Sequence, residues 1–170
     1  MKDSTKVTIV IVVMLALMLV GFITTIIGTV YLIKTIGSIE KTPITANQFE
    51  NFMKSNNWTV LDNTSQFLQE GKNISKGYIT NKGKCEIEFY IFLDNDDTID
   101  FYNINKAKFE TQAGNVFSKS NVNLKNYSKY SLTSNGKYKC VSRIDNTAIY
   151  INVDSDYKEG INNILYKLGY

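Results

Sequence analysis

The hydrophobic pattern divides the chain into two parts. Residues 7–33, VTIVIVVMLALMLVGFITTIIGTVYLI, form a stretch of 27 positions without a charged side chain. A helix needs about 20 apolar residues to span the hydrocarbon core of a bilayer, so this stretch predicts a transmembrane helix. Beyond it, apolar residues recur at the spacings of amphipathic helices and half-buried strands. The pattern therefore predicts a short tail (residues 1–6), one span, a linker (residues 34–44) and a folded domain (residues 45–170).

The alternative interpretation of the apolar stretch is a cleaved signal peptide, whose apolar region is roughly 7–15 residues long. This stretch is longer and has neither an A-x-A cleavage pattern nor a cysteine to accept a lipid, which favours an uncleaved signal anchor. Lysine counts on its two sides are equal, so the positive-inside rule favours a cytoplasmic N-terminus only slightly. A short tail before a long folded domain is typical of a signal anchor. We therefore expect a single-pass protein of the cell membrane, with the C-terminal domain outside the cytoplasm.

Three small residues in the predicted span share one helix face. Gly21, Thr25 and Gly28 are spaced by four and three positions. Small residues at this spacing let transmembrane helices approach closely. The stripe indicates packing on a partner helix or on a second copy, and the alternative is that these residues are simply tolerated in a membrane helix.

The rest of the chain predicts an α+β fold. The order of elements is α-β-β-β-α-β-β-β-α, which suggests an internal duplication, and we expect the helices to pack on one face of an antiparallel sheet. The predicted elements are a helix (45–56), a strand (58–62), a polar loop (64–72), two strands around a three-residue turn (81–83), a helix from 94–97 onward, a loop (115–125), three strands (127–134, 137–144, 147–153) and a helix (156–168).

Two short turns predict the register of the last three strands. Asn135-Gly136 is a strong hairpin signal, and Asp145-Asn146 is a second two-residue turn. With both turns fixed, alternation assigns an apolar core face and an opposite, half-wet face of tyrosine, lysine and arginine. The core face carries Tyr127, Tyr138, Cys140, Ile144, Ile149, Ile151 and Val153, and the opposite face carries Tyr130, Leu132, Lys137, Lys139, Val141, Arg143, Tyr150 and Asn152.

Both cysteines fall on core faces. Cys140 points inward by the register above, and Cys85 shares its face with apolar residues of its own strand. They are either free thiols or a disulfide, which an extracytoplasmic compartment permits. A bridge requires Cβ atoms about 3.8 Å apart, which a sequence cannot establish. No CxxC spacing accompanies either cysteine, so a metal or catalytic role is not expected.

The opposite face of the meander is the candidate surface for a partner. Its single arginine stands in a chain with 19 basic residues, of which the others are lysines, so the planar guanidinium of Arg143 suggests a paired carboxylate or a stacked ring. Intramolecular candidates for that pair are Glu86, Glu88, Asp145, Tyr130 and Tyr150. We expect the partner to contact Tyr130, Lys139, Arg143 and Tyr150.

Composition narrows the function class. The chain has no histidine, which removes histidine-based triads, HExxH peptidases and histidine zinc sites. From Lys41 onward, 16 basic and 14 acidic residues give a net charge of +2, too balanced for a dedicated nucleic-acid binder. DNDDTID at residues 94–100 lacks the glycine and glutamate of a calcium loop and is better explained by helix capping. No enzyme, metal or cofactor is expected.

Several stretches resemble a loose group of bacterial proteins. NYSKYSL, GKYKCVSRIDNTAIYINV and the terminal LGY, together with ANQFENFMKSNNWTVLD, are similar to small extracytoplasmic α+β domains tethered by a membrane helix or a lipid. The resemblance covers residues 46–170, and the group is uncharacterised in function. It implies location and shape, and it supplies no functional residues.

The resulting hypothesis is a non-enzymatic, extracytoplasmic domain on one membrane helix. It would bind a protein partner or an anionic envelope component. The alternative is a structural or accessory subunit of a larger membrane complex, acting through the Gly21/Thr25/Gly28 stripe and the sheet edges.

Overall fold

The computed structural model describes residues 40–170, which form one compact unit. The predicted tail and span, most of the predicted linker, and the Gly21/Thr25/Gly28 stripe lie outside the described residues. Lys41 belongs to the predicted linker, but hydrogen bonds attach it to the folded domain. Its backbone N–H donates to Asn126 Oδ1 at 2.9 Å, and Asn126 Nδ2 donates to its carbonyl at 2.7 Å. The folded unit therefore includes the last residues of the predicted linker.

The described part contains four α-helices, one 3₁₀ turn and seven strands. In chain order they are α1 (Ala46–Ser55), β1 (Thr59–Asp62), α2 (Thr64–Gln69), β2 (Ile74–Lys82), β3 (Cys85–Phe92), α3 (Asn95–Thr111), β4 (Val116–Asn123), β5 (Tyr127–Ser134), β6 (Lys137–Ile144), β7 (Thr147–Asp154), the 3₁₀ turn (Ser155–Tyr157) and α4 (Lys158–Lys167). None of the helices within residues 40–170 has the length and apolarity needed to cross a bilayer.

The strands form a single antiparallel sheet in the order β1-β2-β3-β7-β6-β5-β4. After β3 the chain crosses through α3 to the far edge and returns strand by strand until β7 pairs with β3. The α+β fold with an antiparallel sheet is confirmed. The predicted order is wrong in two places, because residues 64–69 form a helix and residues 116–123 form a strand. The two halves therefore differ, with three and four strands, and do not repeat the predicted α-β-β-β unit.

Helices cover both faces of the sheet, which corrects the prediction of one covered face. On the first face, α1 and α4 pack over one continuous core, and we call it the α1/α4 face. On the second, the α3 face, α2 and α3 pack over two separate clusters. The alternation of β3 explains this arrangement. Ile87 and Phe89 enter the first core, whereas Tyr90 and Phe92 enter a cluster on the other side.

The two predicted turns set the register as expected. Ser134 pairs with Lys137 and Ile144 pairs with Thr147. Asn135 and Gly136 have φ values of 50° and 72°, the left-handed backbone that a tight hairpin turn needs and that asparagine and glycine tolerate. The β2–β3 connection differs from its prediction. Lys82 pairs with Cys85, so this turn has two residues rather than three.

Local side-chain hydrogen bonds fix the starts of α1 and α3. Thr45 accepts from the backbone N–H of Gln48 at 3.3 Å, and Gln48 Oε1 accepts from that of Thr45 at 2.9 Å. This is the predicted capping box. Asp94 caps α3 by accepting from the N–H of Asp97 at 2.8 Å, as the acidic stretch indicated.

Candidate functional site

The two cysteines are buried free thiols. Ile87 of β3 pairs with Ile151 of β7, which pairs with Cys140 of β6, so a whole strand separates the strands of the two cysteines. Neighbouring strands lie about 4.8 Å apart, which places the two cysteine backbones roughly 10 Å apart or more. A disulfide needs Cα atoms within about 7 Å. The disulfide alternative is therefore wrong for this fold, and the free thiols pack in the core of the α1/α4 face.

The predicted partner face is largely covered by α3. Tyr130 is fully buried in a cluster with Tyr102 and Phe109 of that helix. Lysines flank its ring, with Lys106 Nζ at 5.8 Å and Lys119 Nζ at 5.4 Å from the ring centroid. The prediction of a partly hydrated surface is wrong at Tyr130. Tyrosine and lysine side chains of a strand can also be covered by an amphipathic helix.

Lys139 and Arg143 do not lie on the open sheet face that the sequence predicts. Lys139 is buried, and its Nζ donates to Gln112 Oε1 at 3.2 Å while lying 5.7 Å from the ring of Phe109. Arg143 is half-buried, and among residues 40–170 it has neither an ion pair nor a ring beneath its guanidinium. The carboxylate or ring proposed for it is not found in that part of the chain.

Tyr150, the fourth predicted residue, lies at an opening between α2 and α3, and we call this opening the Glu88 cleft. Glu88 and Tyr150 are direct cross-strand partners on β3 and β7, so their side chains stand side by side on the sheet. The cleft encloses about 320 Å³ and continues into a smaller depression of about 170 Å³ that shares Glu88 and Tyr150. Its lining consists of Lys72, Glu88, Tyr90, Phe101, Asn105, Lys108 and Tyr150, and the depression adds Glu86 and Asn152.

One face of α3 forms a wall of the cleft. Phe101, Asn105 and Lys108 are spaced by four and three residues, which places them on one side of a helix. Phe101 lies 4.9 Å from the ring of Tyr90, and Asn105 is held by a 2.8 Å bond from its Nδ2 to the carbonyl of Phe101. This wall is therefore aromatic at Phe101, next to Tyr90, and polar at Asn105 and Lys108.

Glu88 is the unusual group of the cleft. Burial raises the pKa of its carboxyl, and Glu86 raises it further, whereas the hydrogen bond from the Tyr90 hydroxyl lowers it. Burial also raises the pKa of Tyr150, as does the charge of Glu88. Among residues 40–170, Glu88 forms no ion pair. The cleft thus contains a half-buried carboxylate with which no basic side chain of the described residues pairs directly.

The lysine opposite the α3 wall is already engaged. Lys72 Nζ lies 2.5 Å from Glu70 Oε2, and it stands 4.6 Å from the ring of Phe67 and 5.8 Å from that of Tyr90. Lys72 pairs directly with Glu70, and from across the cleft its charge also lowers the pKa of Glu88, by less than burial raises it. Lys108 is exposed at the upper end of the wall.

A second cavity lies at the start of β4. It encloses about 550 Å³ and is lined mostly by apolar surface. Phe117 on its rim is 87% exposed, and Ser134 in its wall is buried, with no hydrogen-bond partner for its hydroxyl among residues 40–170. Lys158 at the start of α4 also lines it, and its Nζ donates to Ser118 Oγ at 2.8 Å.

No cluster of three or more potential metal ligands occurs within residues 40–170. Sequence patterns do not predict the Glu88 cleft, because alternation places Glu86 and Glu88 on one face of β3 without showing what covers that face. A signal existed in β3, where Glu88 alternates with Tyr90 and Phe92 on a face too apolar to be left open to water. The missing information was the position of α2 and α3 above that face.

The chain matches no protein-family model, and searches of curated proteins and of solved structures also give no match. Fold and site therefore define only a class: a small α+β domain in which helical layers enclose an antiparallel sheet and leave a narrow cleft on one face. The resemblance to tethered bacterial domains stays a prediction.

Proposed function

We propose that this chain is a non-enzymatic binding domain, held outside the cytoplasm by one membrane helix, and that the Glu88 cleft receives a basic side chain of a protein partner. The membrane part of the proposal rests on the uncharged stretch of residues 7–33. The binding part rests on one observation, the half-buried carboxylate of Glu88 without an ion pair among the described residues.

Electrostatics favours a cation at this position. Burial disfavours the charged form of Glu88, and an ammonium or guanidinium group from a partner would restore that charge by direct pairing. The aromatic floor adds to this preference, because the faces of Tyr90, Phe101 and Tyr150 attract cations. Truncating one member of such a desolvated charge pair typically costs 2–5 kcal/mol of binding energy, much of it the penalty of leaving the other charge unpaired.

The cleft is large enough for one long side chain. Ligand pockets commonly enclose about 300–1,000 Å³, and the Glu88 cleft lies at the lower end of this range. A lysine or arginine side chain could enter beside Phe101 with its charged end at Glu88. The remainder of the partner would then contact the outer side of α3, where Lys108 is exposed.

The experiment titrates the full-length chain in detergent micelles with the peptide acetyl-Gly-Lys-Gly-amide, following the NMR signals of ¹³C-labelled tyrosine rings. The matched peptide with N-acetyllysine removes only the charge. We expect the charged peptide to shift the signals of Tyr90 and Tyr150, and Glu88→Gln to weaken binding at least tenfold. Glu159→Gln, an exposed carboxylate on α4, is the control variant and should leave binding unchanged.

Equal responses to the two peptides would reject the charge-pairing proposal, as would equal binding by wild type and Glu88→Gln. The location is tested separately by protease treatment of intact cells that produce the full-length chain. Cleavage of the C-terminal domain from outside is expected. A domain that becomes accessible only after lysis would place it in the cytoplasm.

A further inference from the structure

The strand β4 is an open edge of the sheet. It pairs with β5 and with no other strand among the described residues, so one side of its backbone faces away from the sheet. An unpaired strand edge presents N–H and C=O groups that can pair with another strand. The opposite edge of the sheet is much shorter, since β1 has four residues and β4 has eight.

The usual protections of an edge strand are weak in β4. Its sequence, VFSKSNVN, contains no proline and one charged residue. That residue, Lys119, lies 2.9 Å from Glu110 of α3, so its charge is balanced within the domain. Proteins commonly protect long edges with unpaired lysines, proline or a covering segment, and the described residues supply none of these along β4. A single irregularity between Val116 and Ser118 disturbs only its first residues.

Apolar side chains are also concentrated on this edge. Val116, Phe117 and Val122 are three of the large hydrophobic residues that stay exposed, and Phe117 is the most exposed of them. The apolar cavity at the start of β4 continues the same surface around Phe117. A strand whose one charge is paired within the domain, and which has exposed apolar side chains and an unpaired backbone edge, is chemically complementary to another strand of the same kind.

We propose that β4 pairs antiparallel with β4 of a second copy of this chain, across a two-fold axis, and so joins two sheets edge to edge. A second copy fits because an antiparallel pair related by a two-fold axis satisfies both edges with the same contacts. Charge does not oppose it, since each Lys119 is paired with its own Glu110. The proposal stands independently of the Glu88 cleft, which lies between α2 and α3 rather than at the β4 edge.

Single cysteines introduced along β4 test this pairing in the full-length chain reconstituted in liposomes. The background is low, because Cys85 and Cys140 are both buried. Ser120→Cys, Asn121→Cys and Asn123→Cys are oxidised in turn, and Thr59→Cys at the β1 edge and Leu68→Cys on α2 are the exposed controls. We expect the dimer yield to peak at one β4 position and to fall at least about fivefold at the others and at both controls. Yields that are even along β4, or as high at β1, would overturn the proposal.

A second variant separates pairing through β4 from association through the membrane segment. Val122→Lys adds an unpaired charge to each edge and should reduce the crosslinking of the most reactive cysteine at least about fivefold. Because Val122 is exposed, the thermal midpoint should not change. The double variant Gly21→Ile, Gly28→Ile should leave the position of the crosslinking peak unchanged. Unchanged crosslinking in Val122→Lys, or loss of the peak in the double variant, would refute pairing through β4.

Discussion

The two faces of the sheet are built from the same strands but differ in how completely their helices cover them. On the α1/α4 face, one continuous core of mainly aliphatic and aromatic side chains extends from Phe49 to Tyr170 along the chain. On the α3 face, two smaller clusters leave room for Glu88 and Tyr150 between them. A face fully covered by apolar helices has little room for a ligand, whereas a face with a gap between two helices can both fold and bind.

This comparison also explains which predictions succeeded. Alternation and two-residue turns identified the α1/α4 face, because a strand with mostly apolar residues on one side has only one stable orientation. The same alternation led to a wrong prediction for the α3 face, because tyrosine and lysine side chains occur both on solvent-exposed surfaces and beneath a covering helix. Only the placement of α3, which depends on packing between residues far apart in the sequence, distinguishes these two environments.

The largest expected effect tests whether α3 really covers Tyr130. Tyr130→Ala should lower the free energy of unfolding by about 3 kcal/mol, because a fully buried aromatic ring is lost and a cavity remains. Phe89→Ala on the α1/α4 face, where Phe89 stacks on Phe49 at 4.2 Å between ring centroids, is the reference and should cost about 3–5 kcal/mol. Urea unfolding of the full-length chain in micelles, followed by circular dichroism, measures both. A Tyr130→Ala cost below about 0.5 kcal/mol would mean that this face is open.

A smaller effect is expected where α2 meets the sheet at Gly77. A Cβ atom at this position would lie 2.4 Å from the ring of Phe67, closer than atoms can approach, so Phe67 would have to move. Gly77→Ala should therefore cost about 1–3 kcal/mol by overpacking. It should also disturb the Glu88 cleft, because Phe67 packs on Tyr90 at 4.9 Å between ring centroids.

The same unfolding measurement checks Gly77→Ala, and the tyrosine NMR signals report on the cleft. Gly160→Ala is the matched control, since no atom of the described part of the chain lies within 4 Å of a Cβ atom there and the residue is helical. That substitution should be neutral or slightly stabilising. Equal behaviour of the two variants would show that Phe67 does not press on the sheet, and the α3 face would be looser than described.

Part of the candidate site could be predicted from the sequence and part could not. The hairpin turns predict which face of the meander carries Tyr150, and alternation places Glu88 on the same face of its own strand as Tyr90 and Phe92. The pairing of β3 with β7 is a contact between strands about 60 residues apart, and no local pattern indicates it. The sequence also gave no sign of β4, since serine, lysine and asparagine dominate its exposed pattern and have low or mixed strand preference.

The smallest effect, and the sharpest contrast between the two faces, concerns the charge of Glu88. Burial raises the pKa of its carboxyl in the folded state, so the folded chain holds this proton more tightly than the unfolded chain does. The corresponding stabilisation is complete below the ordinary pKa of 4.5 and is lost as the pH rises through the folded-state value. Glu88→Gln cannot lose a proton, so its stability relative to wild type should increase from pH 4 to pH 8, by on the order of 1 kcal/mol. Urea unfolding at several pH values measures the difference, with Glu159→Gln, an exposed carboxylate of α4, as the control variant. A stability difference between Glu88→Gln and wild type that is constant across this range would show that the carboxylate of Glu88 is as well solvated as a surface group. The Glu88 cleft would then bind a cation no more strongly than the rest of the surface does.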